Sequence, residues 1–160
     1  MHPVRDVEYV LISLFQKRYM RAMAGTTNVT TIDYMLNTLA KDKTIILEQD
    51  FFTFIAYISY SDVGNKMTWD WTRVHWEYLE DRFTTGDRNF GRLAPNMVDE
   101  YNTEYQLWSV EDFFSVTVAG AGEGPRAGAI SQIKSNILWM ANYVDDIDNW
   151  LDTERTLSSL

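Results

Sequence analysis

Two arginines four residues apart, Arg88 and Arg92, stand in the polar break GDRNFGR of a chain whose formal net charge is −9. A guanidinium presents a planar fork of N–H donors that matches a carboxylate, so a loop or helix start bearing two of them can hold an acidic ligand bidentately. The same cations can instead be neutralised from within, because Asp81, Asp87 and Asp99 are close in sequence. The remaining candidates for chemistry are sparse. His2 and His75 are the only histidines; neither belongs to an H-E-x-x-H pair, and the two cannot share a zinc ion at helical spacing. His75 therefore reads as a surface or hydrogen-bonded structural residue. The glycine-rich stretch AGAGEGPRAG, residues 119–128, lacks the Lys-Ser/Thr ending of a phosphate loop and follows no strand, so it reads as a flexible connection between helices. The acidic run from Tyr143 to Asp148 has neither the turn glycine nor the terminal glutamate of a calcium loop, and reads as a solvated helix face. No serine is marked as a nucleophile. The absence of cysteine removes disulfides, thiolate catalysis and thiolate metal sites. Asn28-Val29-Thr30 is a glycosylation sequon, meaningful if the chain enters the secretory pathway.

The elements that must position these residues are helical. With 160 residues, 46% of them hydrophobic, the chain can bury a core of ordinary size and is expected to form one helical domain over 1–160. An acidic surface without a Lys/Arg run argues against nucleic acid as a partner. No apolar stretch approaches the ~20 residues of a membrane span, and the apolar run Val10 to Phe15 is too short for a secretory signal. A first helix opens near Pro3 and lines up Val7, Leu11, Leu14, Phe15 and the stem of Arg18. A second is capped by Thr30 or Thr31, carries Ile32, Met35, Leu36 and Leu39, and ends at Lys41-Asp42-Lys43. The run FFTFIAYISY is expected to be a buried helix rather than a strand. Ser61 to Lys66 reads as a turn, after which Thr68 caps a helix over WDWTRVHWEYLEDRF. There Trp69, Trp76 and Phe83 recur every seven residues with Leu79 between them, one packed stripe rather than a ligand platform. A helix follows the 84–91 break and passes Pro95. Another begins at Asn102 or Thr103 and turns Leu107, Val110, Phe113 and Phe114 inward. Two last helices carry Ile130, Ile133, Ile137 and Met140, then Val144, Ile147, Trp150 and Leu151. About eight helices with short connections make a bundle or a stack of helix pairs.

Six segments in order, QDFFTFIAYIS, the tryptophan motif, DRNFGRL, YNTEYQLWSVEDFF, AGAGEGPR and SNILWM, resemble the C-terminal helical domain of M1-type zinc aminopeptidases, the ERAP1-like C-terminal domain. They look most like the glutamyl and alanyl membrane aminopeptidases of animals. The similarity is strongest from about Ile45 to Trp150. The resemblance implies an all-α, HEAT-like α-solenoid of antiparallel helix pairs that curves over a catalytic domain and closes the peptide chamber. It implies that the zinc helix, its downstream glutamate and the G-x-M-x-N loop lie in an upstream domain. No cofactor is then expected in this chain, the partners are the catalytic domain and the peptide substrate, and the chain alone is expected to be inactive. Arg88 matches a position that in glutamyl-type relatives can face the substrate cavity, with Arg92 a second candidate. Trp69, Trp76, Phe113, Phe114, Ile137 and Trp150 match packing positions. Location on the extracellular face of a membrane is implied for the full enzyme. YSDVGN and SVTVAGAG lack prolines usual in relatives, which loosens two loops. The alternative is a free-standing, inactive helical interaction module, cytoplasmic, self-associating through the first helix.

Overall fold

The computed structural model describes residues 17–157, and these are helical wherever they are regular. In chain order the α-helices are α1 (17–24), α2 (Val29–Asn37), α3 (Phe51–Ile58), α4 (Asp62–Val74), α5 (Trp76–Phe83), α6 (Arg88–Val98), α7 (Glu104–Val116) and α8 (Glu123–Leu157). Single 3₁₀ turns lie at Leu39–Lys41, Glu48–Asp50 and Gly120–Gly122. No strand occurs among the described residues, as the periodicity required. The stripe Val7, Leu11, Leu14, Phe15 and the residue His2 lie outside the described residues; Arg18, on the same expected stripe, is exposed. The chain divides into two compact units, Met1–Thr84 and Thr85–Leu160.

In the first unit, α3 is the buried helix that its apolar run demanded, with Phe51, Phe54, Ile55 and Ile58 fully enclosed. Several boundaries differ from expectation, each for a local reason. Asn28, not Thr30 or Thr31, caps α2, its Oδ1 accepting from the Thr31 amide at 2.9 Å; a short amide side chain two positions before Thr30 reaches an orphan donor of the first turn. α2 ends at Asn37, and Leu39–Lys41 is a separate 3₁₀ turn. Ser61–Lys66 is not a turn: Ser61 caps α4, which starts at Asp62, and Thr68 lies buried inside it. Gly64 is needed there because a Cβ would overlap the Ile58 carbonyl oxygen, so the glycine lets α4 pass close to the end of α3. The tryptophan stripe is buried, with Trp69 5% and Trp76 8% exposed, but it spans two helices. The break is His75. Its Nδ1 lies 3.0 Å from the Trp71 carbonyl oxygen and its ring stacks on Trp71. A carbonyl only accepts, so Nδ1 carries the proton and Nε2 accepts from Lys41 Nζ at 3.2 Å.

In the second unit, α8 packs against both α6 and α7. Gly91 of α6 backs onto Gly122, and a Cβ on either would meet the other's backbone at 2.7 Å, so the two segments touch main chain to main chain. α7 opens with the expected Thr103, which forms a capping box with Gln106. Leu107, Val110 and Phe113 are buried; Phe114 is half-buried. The stretch 119–128 is not a flexible connection. Only Gly120–Gly122 turns, and helix α8 already runs through Glu123-Gly124-Pro125-Arg126, with Pro125 in its first turn as expected. Arg126 is buried and donates to the Thr117 and Val118 carbonyls at 2.8 and 3.0 Å, tying down the chain that leaves α7. The two expected terminal helices are one: no glycine or proline follows Gly128 to stop α8. Ile133 is fully buried and Ile137 half-buried, but Trp150, expected to pack, is 61% exposed.

Candidate functional site

Asp87 starts α6 by accepting from the Asn89 and Phe90 amides, both at 2.8 Å. That cap fixes the first turn and sets Arg88 at the first helical position, with Arg92 one turn further on the same side. Both side chains are exposed, and among the described residues neither forms an ion pair. Neutralisation by Asp81, Asp87 or Asp99 is thus not what these arginines do. A cation in the first turn also opposes the helix dipole, a cost of roughly 0.3–1 kcal/mol near a surface. Among the described residues Arg88 is therefore a cation without a counter-charge.

Arg92 borders an open groove of about 780 Å³ between α6, the α6–α7 connection and α8, with Asn96, Asp99, Gln132, Asn136 and Trp139 also on its wall. Asn136 holds the groove's shape: its Nδ2 donates to the Asp99 and Tyr101 carbonyls at 2.8 and 2.9 Å, and its Oδ1 accepts from Gln132 Nε2 at 2.8 Å. Sequence reasoning missed this amide relay. Its trace was available in the amides Gln132 and Asn136, one helical turn apart beside the apolar stripe of α8. Chemically the groove offers one cation, the carboxylates of Asp99 and Glu100, amides and an indole face, a mixed-charge surface for binding and orientation. Asn28 is exposed at the start of α2, with Oδ1 engaged by Thr31 through both its amide and its hydroxyl.

The contrast with Arg82 is instructive. Its side chain is 3% exposed, pairs bidentately with Glu48 at 2.8 and 3.0 Å, and donates to the Ala40 carbonyl and the Tyr78 hydroxyl. The hydrogen bonds from Arg82, against some desolvation, hold the Glu48 carboxyl below the usual carboxylate range. For a metal the described residues offer no fit: no three His, Cys, Asp or Glu side chains converge, and the His75 ring is committed to Trp71 and Lys41. No described helix is long and apolar enough to cross a membrane.

Residues 13–137 match the model of the ERAP1-like C-terminal domain. This chain belongs to that family. Its similarity extends to aminopeptidase A of Gloydius brevicauda, 43% identical over 141 residues, and to human glutamyl aminopeptidase, 39% identical over 146 residues. Bovine aminopeptidase N is 29% identical over 133 residues. These alignments cover 88%, 89% and 81% of the chain but only 15%, 15% and 14% of the relatives. As an ERAP1-like C-terminal domain of the M1 aminopeptidases, the chain corresponds to about 15% of the length of the curated relatives. The family match ends at residue 137, inside α8.

Proposed function

We propose that this domain closes the peptide chamber of an M1-type zinc aminopeptidase and that Arg88 offers its guanidinium to the carboxylate of an acidic substrate residue. The observation that carries this reading is the exposed Arg88, unpaired among the described residues, at the first position of α6 in a chain of net charge −9. A cation without a counter-charge among the described residues, against the helix dipole, suits a ligand that brings the negative charge. Arg92, one turn on, is the second contact in this reading, oriented by the groove that Asn136 maintains. Zinc-dependent cleavage of the peptide bond belongs to a catalytic domain, and no step of it is assigned to residues of this chain. The described helices are compatible with the stacked-pair architecture that the family resemblance implies. The named relatives include glutamyl aminopeptidases, which supports an acidic preference.

The setting follows from the same reading: an extracellular, membrane-attached enzyme whose anchor is not in the described helices. There Asn28 becomes a glycosylation site. A sugar on Nδ2 leaves Oδ1 free to keep capping α2, so the modification and the helix start are compatible.

The test is complementation. The purified chain is mixed with an M1 catalytic half lacking its C-terminal helices and assayed on fluorogenic glutamyl and alanyl substrates. The chain alone should be inactive, and the mixture should recover activity. A folded, monomeric chain that fails to complement would instead identify a free-standing interaction module.

A further inference from the structure

Helix α8 carries one apolar seam for longer than the rest of the unit covers it. Ile133, Ile137, Met140, Val144, Ile147 and Leu151 recur at alternating intervals of four and three, the spacing that keeps a seam on one helix face. Exposure climbs along it: Ile133 is fully buried, Met140 and Val144 are half-buried, and Ile147 and Leu151 are 40% and 45% exposed. The two edges of the bare part differ in chemistry. Trp139, Tyr143 and Trp150 line one edge, all at least half exposed. Asp145, Asp148 and Asp152 line the other at seam spacing, and among the described residues only Asp152 has a cation partner, Arg155. Residues 141–157 hold five carboxylates against one guanidinium.

We propose that this bare seam docks one amphipathic helix of another protein, with lysines or arginines flanking its apolar face. The apolar centre supplies burial. Both edges select cations, the aspartates by ion pairing and the indole and phenol rings through their π faces. A second copy of this chain is the poorer occupant, because it would bring the same carboxylates into apposition. The proposal does not depend on the chamber reading, since it involves neither Arg88 nor catalytic activity.

The test uses the full 160-residue chain and two fluorescein-labelled helical peptides of about 20 residues, long enough to hold helix. Both carry leucine at seam positions; one has lysine on its flanks, the other glutamate. Fluorescence anisotropy should show the lysine peptide binding at least about tenfold tighter. The double change Ile147→Asp with Leu151→Asp should cost at least about tenfold in that affinity. Asp145→Asn with Asp148→Asn should keep binding but shrink the preference for lysine. All four positions are exposed, and an unchanged melting curve checks that the variants fold. Equal binding of both peptides, or binding indifferent to the seam changes, overturns the proposal. So does sedimentation revealing a dimer that the Ile147→Asp and Leu151→Asp pair dissolves, which gives the face to a second copy.

Discussion

Residues 17–84 and residues 85–157 use the same side-chain types to opposite ends. In the first region Arg82 and the three tryptophans are tied to their own neighbours, while Arg18 and Arg21 are exposed without an ion pair among the described residues. Arg82 is satisfied by Glu48, Ala40 and Tyr78 and lies over the Phe51 and Phe83 rings; Trp71 donates to Asn37; Trp69 and Trp76 are buried. In the second region Arg126 is tied to carbonyls in the same way, but among the described residues Arg88 and Arg92 lack counter-charges, and Trp139 and Trp150 are half or more exposed. The lesson is that residue type does not assign a role. What separates scaffold from surface for a ligand or partner is whether the fold supplies the other half of each interaction.

The widest gap should come from two alanine replacements. Trp76→Ala is expected to cost about 3–5 kcal/mol of unfolding free energy. Trp150→Ala, on an exposed face, should stay within about 0.5 kcal/mol. Urea denaturation of both variants measures the difference, and similar losses would break the comparison. Arg82→Ala should come next, at about 1.5–3 kcal/mol, because it leaves Glu48 and the Ala40 carbonyl without their donor. Smaller still is a pH effect. Glu48 titrates below its ordinary value, so the stability it contributes is fully present above about pH 4.3 and is lost as pH falls through the lowered folded value. Wild type should melt higher than Glu48→Gln at neutral pH, by less than about 1 kcal/mol for so exposed a carboxylate. The two melting curves should converge between about pH 4 and pH 2. Asp42, lowered by hydrogen bonds from Thr44, is common to both proteins and cancels in the difference.

Much of the fold was legible because it rests on periodicity. The stripe of α2, the tryptophan stripe that α4 and α5 share and the Thr103 cap followed from spacing and side-chain reach alone. What was not legible depended on contacts distant in sequence. Gly64 reads as a turn until the Ile58 carbonyl beside it is known, and then it is the residue that lets a helix pass. Arg126 sits among glycines that suggest slackness, yet carbonyls eight and nine residues earlier pin it. Trp150 has the spacing of a core residue, yet among the described residues no element covers it and it is surface. For the site, the two arginines could be found but not their state, since nearby aspartates offered partners that the structure does not use.

The central claim, that Arg88 serves a ligand rather than the fold, is tested most directly by its selectivity. In the complemented enzyme, kcat/KM is measured for glutamyl and alanyl substrates with wild type, Arg88→Ala and Arg88→Lys. The account predicts that Arg88→Ala lowers the glutamyl value roughly 10–100-fold, as losing a charged hydrogen-bond pair would. It further predicts that the alanyl value and the melting temperature stay nearly unchanged, with lysine restoring part of the loss. An equal fall for both substrates, or a loss of stability in place of selectivity, would contradict it.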